Sequence, residues 1–125
     1  MAKILVIDDE APIRTLIRIA LEHRGHQVAE AENGRVGVQK FRQDRADVVI
    51  TDVIMPESEG FECILELRRL DSALRIICMS GGGRTGMNVL DVARRFGAHR
   101  TFAKPFHIDE LVAAVEEESE QRPAA

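Results

Sequence analysis

Polar side chains that could bind a metal ion or a phosphoryl group follow short strand-like runs at four places in the chain. They are Asp8 with Asp9, then Asp52, Ser80 and Lys104. Most of the runs before them are rich in Ile, Val and Leu, which is typical of strands buried on both faces of a parallel sheet. Because an open parallel sheet binds ligands beyond the carboxyl ends of its strands, we expect these side chains to converge on one site.

The chemistry of this set points to a divalent cation and a phosphoryl group. Three carboxylates held together repel one another, and their pKa values rise unless a cation shares the site. Oxygen ligands without His or Cys favour a hard ion, and Mg²⁺ in particular accepts a few carboxylates, water and a phosphate oxygen. Lys104 can pair with a carboxylate at rest and with a phosphoryl oxygen afterwards, while the Ser80 hydroxyl can donate to another oxygen.

Asp52 is the best candidate for a nucleophile within this set. It stands alone at its strand end, whereas Asp8 and Asp9 are neighbours that can share a metal ion from one side. A carboxylate beside Mg²⁺ can form an acyl phosphate while the metal and a lysine neutralise charge on the phosphoryl oxygens. The residues therefore predict transfer of a phosphoryl group onto Asp52.

The elements that must position these residues alternate between strand and helix. Apolar runs predict strands at residues 3–8, 27–31, 48–51, 75–79 and 99–103, and apolar residues at helical spacing follow each of them. Right-handed crossovers between parallel strands leave few other arrangements for such an alternation. The fold class expected is α/β, with a five-stranded parallel sheet wound on both faces by five helices.

Local signals set the expected ends of the first two helices. Pro12 suits the first turn of a helix, and Gly25 lies where a left-handed cap would end it. Leu16 lies at helical spacing within the apolar face that we expect to contact the sheet. Asn33 and Gly34 predict a turn before the second helix.

Composition limits the function classes. A length of 125 residues predicts one domain, which we place at residues 1–120 with a frayed tail at 121–125 and no linker to another domain. The net charge of -4 does not favour nucleic acid as a partner. The longest apolar runs have four residues, far below the roughly 20 needed to span a bilayer, so we expect no membrane segment. The first residues do not form a signal peptide, which predicts a cytoplasmic protein.

The cysteines and two of the histidines have structural interpretations. Cys63 and Cys78 lie inside apolar segments, and buried free thiols are more frequent there than a disulfide or a metal pair. His23 and His26 flank the end of the first helix and have no third metal ligand nearby, so we expect them at the surface.

Over positions 3 to 119 the chain resembles the receiver domain of two-component response regulators. The resemblance rests on the acidic pair after the first strand and on a small residue after Ser80. It also rests on three motifs downstream: Asp52 followed by Met55, Pro56 and Gly60, Phe102 two places before Lys104, and the run Lys104, Pro105 and Phe106. It implies the flavodoxin-like (βα)5 fold with strand order 2-1-3-4-5, an order that general accounts of this fold already illustrate with a receiver.

The resemblance also implies roles for individual residues. Asp52 would be the phosphoacceptor, with Lys104 and Ser80 on the phosphoryl oxygens and Phe102 as the aromatic that changes rotamer when Ser80 moves. Mg²⁺ would be bound directly by Asp9, Asp52 and the main-chain oxygen of Ile54, and through water by Asp8. The Lys104–Pro105 bond would be cis.

The same resemblance implies the partners. The donor would be a histidine kinase or a histidine phosphotransfer protein, and the domain would catalyse its own phosphorylation and dephosphorylation. A downstream protein would bind the surface formed by the fourth helix, the fifth strand and the fifth helix. The output would be relay of the phosphoryl group or binding to this protein.

Three other functions stay open at this point. An aspartyl-nucleophile phosphatase would place its nucleophile in an acid-x-acid motif at the first strand, whereas Asp8 and Asp9 are contiguous. A flavodoxin-like cofactor binder is disfavoured because Trp, Tyr and a phosphate loop after the first strand are all missing from the sequence. The third is a receiver-like interaction module that is not phosphorylated.

Overall fold

The structure is a computed structural model that describes residues 1–53, 60–81 and 89–121. Strand and helix alternate along these residues. The elements are β1 (Lys3–Ile7), α1 (Ala11–His23), β2 (Gln27–Ala31), α2 (Gly34–Gln43), β3 (Val48–Asp52), α3 (Gly60–Leu70), β4 (Arg75–Ser80), α4 (Val89–Arg95), β5 (Arg100–Ala103) and α5 (Ile108–Gln121).

The five strands form one parallel sheet in the order β2-β1-β3-β4-β5. This order confirms the fold class and the strand order that the sequence implied. It makes β1 and β3 neighbours at the centre, and the register pairs Ile7 with Thr51, Asp52 with Met79 and Ser80 with Ala103. The carboxyl ends of β1, β3, β4 and β5 therefore lie side by side.

Helices cover both faces of the sheet because alternate strand residues point to opposite faces. Leu5 and Ile7 of β1 belong to a core with α2, α3 and α4, whereas Ile4 and Val6 belong to a core with α1 and α5. Both cores are made of fully buried aliphatic side chains, with Phe41 the largest in the first. In the part of the chain that is described, no helix is both long and apolar enough to cross a membrane.

The helix ends follow local sequence signals, with one difference. Pro12 lies in the first turn of α1, and Gly25 follows that helix with a φ of 89°, a left-handed conformation that favours glycine. The predicted turn at Asn33 and Gly34 is instead the start of α2. The Asn33 side chain accepts a hydrogen bond from the Val36 N–H at 2.9 Å, so Asn33 is the N-cap and Gly34 the first helical residue.

Two side chains differ in burial from the expectation. Leu16 does not contact the sheet: its exposed fraction is 47%, because Ile17 and Leu21 alone fill the buried stripe of α1. His26 is buried rather than exposed. Its Nδ1 accepts the Ala2 N–H at 3.0 Å, and its Nε2 lies 3.0 Å from the Glu116 carboxylate, contacts from a distant segment that spacing could not reveal.

The cysteines are buried free thiols, as predicted. Cys63 lies on α3 and Cys78 on β4, and both belong to the core beneath α2, α3 and α4. Burial raises the pKa of the Cys78 thiol to about 12. Cys78 therefore stays protonated and unreactive at neutral pH.

A buried carboxylate anchors α5 to the far end of the sheet. Glu118 is 5% exposed, and it accepts hydrogen bonds from Arg75 at 2.6 Å and from Arg100 at 2.8 Å. Burial raises the pKa of Glu118, but the bonds from these two guanidinium groups outweigh it and hold the pKa below its usual value. α5 continues through Gln121, so the first residue of the predicted tail is helical; the rest of that tail lies outside the described residues.

Replacement of this carboxylate should destabilise the fold. We expect Glu118→Gln to lower the free energy of unfolding at pH 7 by about 1–3 kcal/mol, because two buried charge-assisted hydrogen bonds weaken. Glu117→Gln is the matched control, since Glu117 is exposed and contacts only Arg100 among these arginines, and it should change stability by less than about 0.5 kcal/mol. Urea unfolding measures both.

The pH dependence provides a second test of the same ion pairs. The folded pKa of Glu118 is lowered, so its contribution to stability is present above the unfolded pKa of about 4.3 and is lost as the pH falls through the folded value. The stability difference between the wild type and Glu118→Gln should therefore shrink below about pH 4. A difference that stays constant down to pH 3 would contradict this account.

Candidate functional site

The carboxyl ends of the strands bring the sequence-predicted polar residues to one edge of the sheet. Asp8 follows β1, Asp52 is the last residue of β3 and Ser80 is the last residue of β4. Lys104 follows β5, and its N–H donates to the Ser80 carbonyl oxygen at 2.8 Å. The expected convergence of Asp8, Asp52, Ser80 and Lys104 is therefore observed.

The ammonium group of Lys104 lies at the centre of this edge. Its Nζ donates to Asp8 Oδ2 at 2.7 Å, to Asp52 Oδ2 at 2.7 Å and to Glu10 Oε2 at 2.9 Å. The Lys104 side chain is 12% exposed and that of Asp8 is fully buried. One cation thus joins carboxylates from β3 and from the segment after β1.

The charges of this cluster affect one another strongly. Burial lowers the pKa of Lys104, but hydrogen bonds to Asp52, Asp8 and Glu10 outweigh it and raise the pKa above its usual value. Burial raises the pKa of Asp8, and the bonds from Lys104 and from the Glu10 N–H offset this only in part. Lys104 is therefore fully charged, whereas the Asp8 carboxylate remains incompletely compensated and would gain from a second cation.

Three carboxylates are close enough together to bind that cation. One oxygen each from Asp8, Glu10 and Asp52 lies within 4.8 Å of the others, an all-oxygen set that suits a hard divalent ion. Glu10 was missed in the sequence, although it is the third acid of the run Asp8, Asp9 and Glu10. Asp9 is exposed and is not one of these three residues, and its role as a direct ligand stays a prediction. Ile54, the predicted main-chain ligand, lies outside the described residues.

The remaining predicted residues lie beside the cluster. Ser80 is buried, and Phe102 on β5 is half-buried with its ring centroid 6.5 Å from that of Phe106. The Lys104–Pro105 bond is cis, as the resemblance implied. Gly81 backs the Lys104 stem, because a Cβ there would lie 3.5 Å from Lys104 Cδ. The glycine-rich loop beyond Gly81 lies outside the described residues.

Comparison with known proteins agrees with this geometry. A family model described as response regulator receiver domain matches residues 4–116. The chain belongs to the response regulator receiver family. The chemotaxis protein CheY of Bacillus subtilis is 38% identical to this receiver over 114 residues, which are 90% of this chain and 93% of CheY. The sporulation initiation phosphotransferase F of the same organism is 33% identical over 113 residues, 90% of each chain.

Solved receiver structures have the same fold. A response regulator receiver domain protein from Clostridium thermocellum matches with a TM-score of 0.85 and 32% identity, over 97% of this chain and 96% of that protein. The response regulator TrrA from Thermotoga maritima, solved in complex with Mg²⁺ and BeF, matches with a TM-score of 0.79 and 32% identity. That match covers 94% of this receiver and 99% of TrrA.

Loss of the central ammonium should destabilise this receiver in a way that Mg²⁺ reverses. We expect Lys104→Gln to lower the free energy of unfolding in EDTA by about 3 kcal/mol, because Asp8 and Asp52 then lack a buried counter-ion. Excess Mg²⁺ should recover more stability in the variant than in the wild type.

Lys3→Gln is the matched control for Lys104→Gln. Lys3 pairs with the exposed Asp44 at the opposite end of the sheet, so this substitution should cost less than about 1 kcal/mol and show no added response to Mg²⁺. Urea unfolding with and without Mg²⁺ measures these differences. Equal gains from Mg²⁺ in the wild type and in Lys104→Gln would contradict the account.

Proposed function

We propose that the protein acts as a single-domain response regulator whose Asp52 accepts a phosphoryl group from a histidine kinase or a histidine phosphotransfer protein. The observation that carries this proposal is the pair of 2.7 Å contacts by which Lys104 joins Asp52 to Asp8 at the carboxyl edge of the sheet. The single-domain role is supported by the near-complete coverage of CheY and of phosphotransferase F by this chain.

The transfer is a displacement at phosphorus. A carboxylate oxygen of Asp52 forms the new P–O bond, the P–N bond of a phosphohistidine breaks, and the leaving imidazole nitrogen takes up a proton. Lys104 neutralises charge on a phosphoryl oxygen, and the Ser80 hydroxyl donates to another. Hydrolysis of the acyl phosphate by water, which the domain would itself catalyse, returns Asp52 to the carboxylate.

The carboxylates fit the Mg²⁺ that this chemistry requires. We assign direct contacts to Asp9, Asp52 and the Ile54 main-chain oxygen, and a contact through water to Asp8. Mg²⁺ supplies positive charge against the phosphoryl oxygens when it is bound. The raised pKa of the buried Asp8 supports the assignment, because it marks a carboxylate that benefits from another cation.

Phosphorylation at Asp52 is directly testable. Incubation of the receiver with a small acyl or amido phosphate and Mg²⁺ should add the mass of one phosphoryl group, read by intact mass spectrometry. Asp52→Asn should show no gain, because an amide is not a nucleophile at phosphorus. Asp9→Ala should show a strongly reduced rate at low Mg²⁺ that higher Mg²⁺ partly restores. A mass gain that survives in Asp52→Asn would contradict the assignment.

We propose further that phosphorylation is read at the surface of α4, β5 and α5. Ser80 would move toward the phosphoryl group, and the half-buried Phe102 one strand away would turn inward into the space that Ser80 leaves. The register supports this route, because Ser80 pairs with Ala103, the residue after Phe102. A downstream protein that prefers the inward state would bind the phosphorylated form more tightly, by no more than its difference in affinity for the two states. This role places the protein in the cytoplasm.

Amide chemical shifts test this route. Addition of beryllofluoride with Mg²⁺ should shift residues 99–108 and 80–90 as well as those near Asp52. Phe102→Ala should keep phosphorylation at Asp52 and the shifts near the site, but lose most of the shifts in β5. Changes confined to the surroundings of Asp8 and Asp52 in the wild type would contradict the route.

A further inference from the structure

The resting site leaves no free donor on Lys104. A lysine ammonium has three N–H groups and no acceptor, and here its three donors contact Asp8, Asp52 and Glu10 at 2.7, 2.7 and 2.9 Å. A phosphoryl oxygen can therefore bind Nζ only if one of these three carboxylates leaves it.

Two of the three carboxylates are poorly placed to leave. Asp8 is fully buried, and its second oxygen accepts the Glu10 N–H at 2.8 Å, so movement would break two hydrogen bonds and leave a buried charge. Asp52 is nearly as buried, and it carries the phosphoryl group itself. Both residues are held by the ends of central strands.

The third carboxylate, that of Glu10, can leave at low cost. Its side chain is 57% exposed, and Lys104 is the one hydrogen-bond partner that the described residues provide for it. A contact with such an exposed carboxylate contributes little to stability because water replaces it readily. Glu10 is therefore the carboxylate that an incoming phosphoryl oxygen would displace.

We propose that Glu10 is a positioning residue that occupies, in the unphosphorylated receiver, the place on Lys104 that a phosphoryl oxygen takes after transfer to Asp52. The proposal rests on the phosphoacceptor function proposed above. Glu10 holds the ammonium between Asp8 and Asp52 at rest and competes with the phosphoryl group for it. The competition lowers the reactivity of the receiver toward donors and is removed with the Glu10 charge.

The test compares Glu10→Gln with wild type in the full chain, using a small amido phosphate at saturating Mg²⁺. The rate of mass gain at low donor concentration should rise about 1.5- to 5-fold, the range set by loss of one exposed ion pair. The ¹³C shift of the Lys104 ε-carbon should differ between the two unphosphorylated proteins and coincide in their beryllofluoride forms. The midpoint of Mg²⁺ binding should weaken by less than twofold.

Glu32→Gln is the matched control. It removes one exposed negative charge from the segment after β2 without removing a contact to Lys104, so its rate should stay within 1.5-fold of the wild type and its Lys104 shift should be unchanged.

Four results would overturn the proposal. An unchanged rate and Lys104 shift in Glu10→Gln would show that Glu10 does not compete. A slower rate with a several-fold weaker Mg²⁺ midpoint would make Glu10 a metal ligand instead, and an equal acceleration in Glu32→Gln would reduce the effect to overall charge. A wild type that gains no mass at all would refute the phosphoacceptor function itself, a result distinct from the other three.

Discussion

The Lys104 ammonium neutralises an edge of the sheet where three carboxylates lie together. Without that cation, Asp8 would be a buried charge with no counter-ion, and Asp52 could not be held beside it. The same electrostatic strain makes the site receptive to further positive charge and to a group that carries its own negative charge onto Lys104. Stability of the resting state and readiness for phosphoryl transfer therefore arise from one arrangement of charges.

The rest of the fold holds this arrangement rigidly from below. Two aliphatic cores clamp the sheet, so the ends of β1 and β3 have little freedom to move. At the opposite end, His26 ties the segment before β1 to Glu116, and Glu118 ties α5 to the starts of β4 and β5. The polar contacts at that end thus fix the helix that forms one side of the proposed partner surface.

Burial patterns explain which features could be predicted along the chain. Strands β1, β3 and β4 are buried on both faces, so they appear as continuous apolar runs whose ends are marked by Asp8, Asp52 and Ser80. The order of the strands came from resemblance, since alternation of strand and helix alone fits more than one winding. Leu16 and His26 were misplaced because helical spacing and proximity to a helix end do not show which neighbours cover a side chain.

The sequence by itself determined the α/β alternation, the two buried thiols and the identity of Asp8, Asp52, Ser80 and Lys104 as one site, because each is encoded in local pattern or in a short motif. Only the tertiary structure decided that Glu10 shares Lys104 with the two aspartates, while Asp9 faces solvent. Consecutive acidic residues look alike in a sequence. Their roles separate when the backbone after β1 turns one side chain toward the ammonium and another toward water.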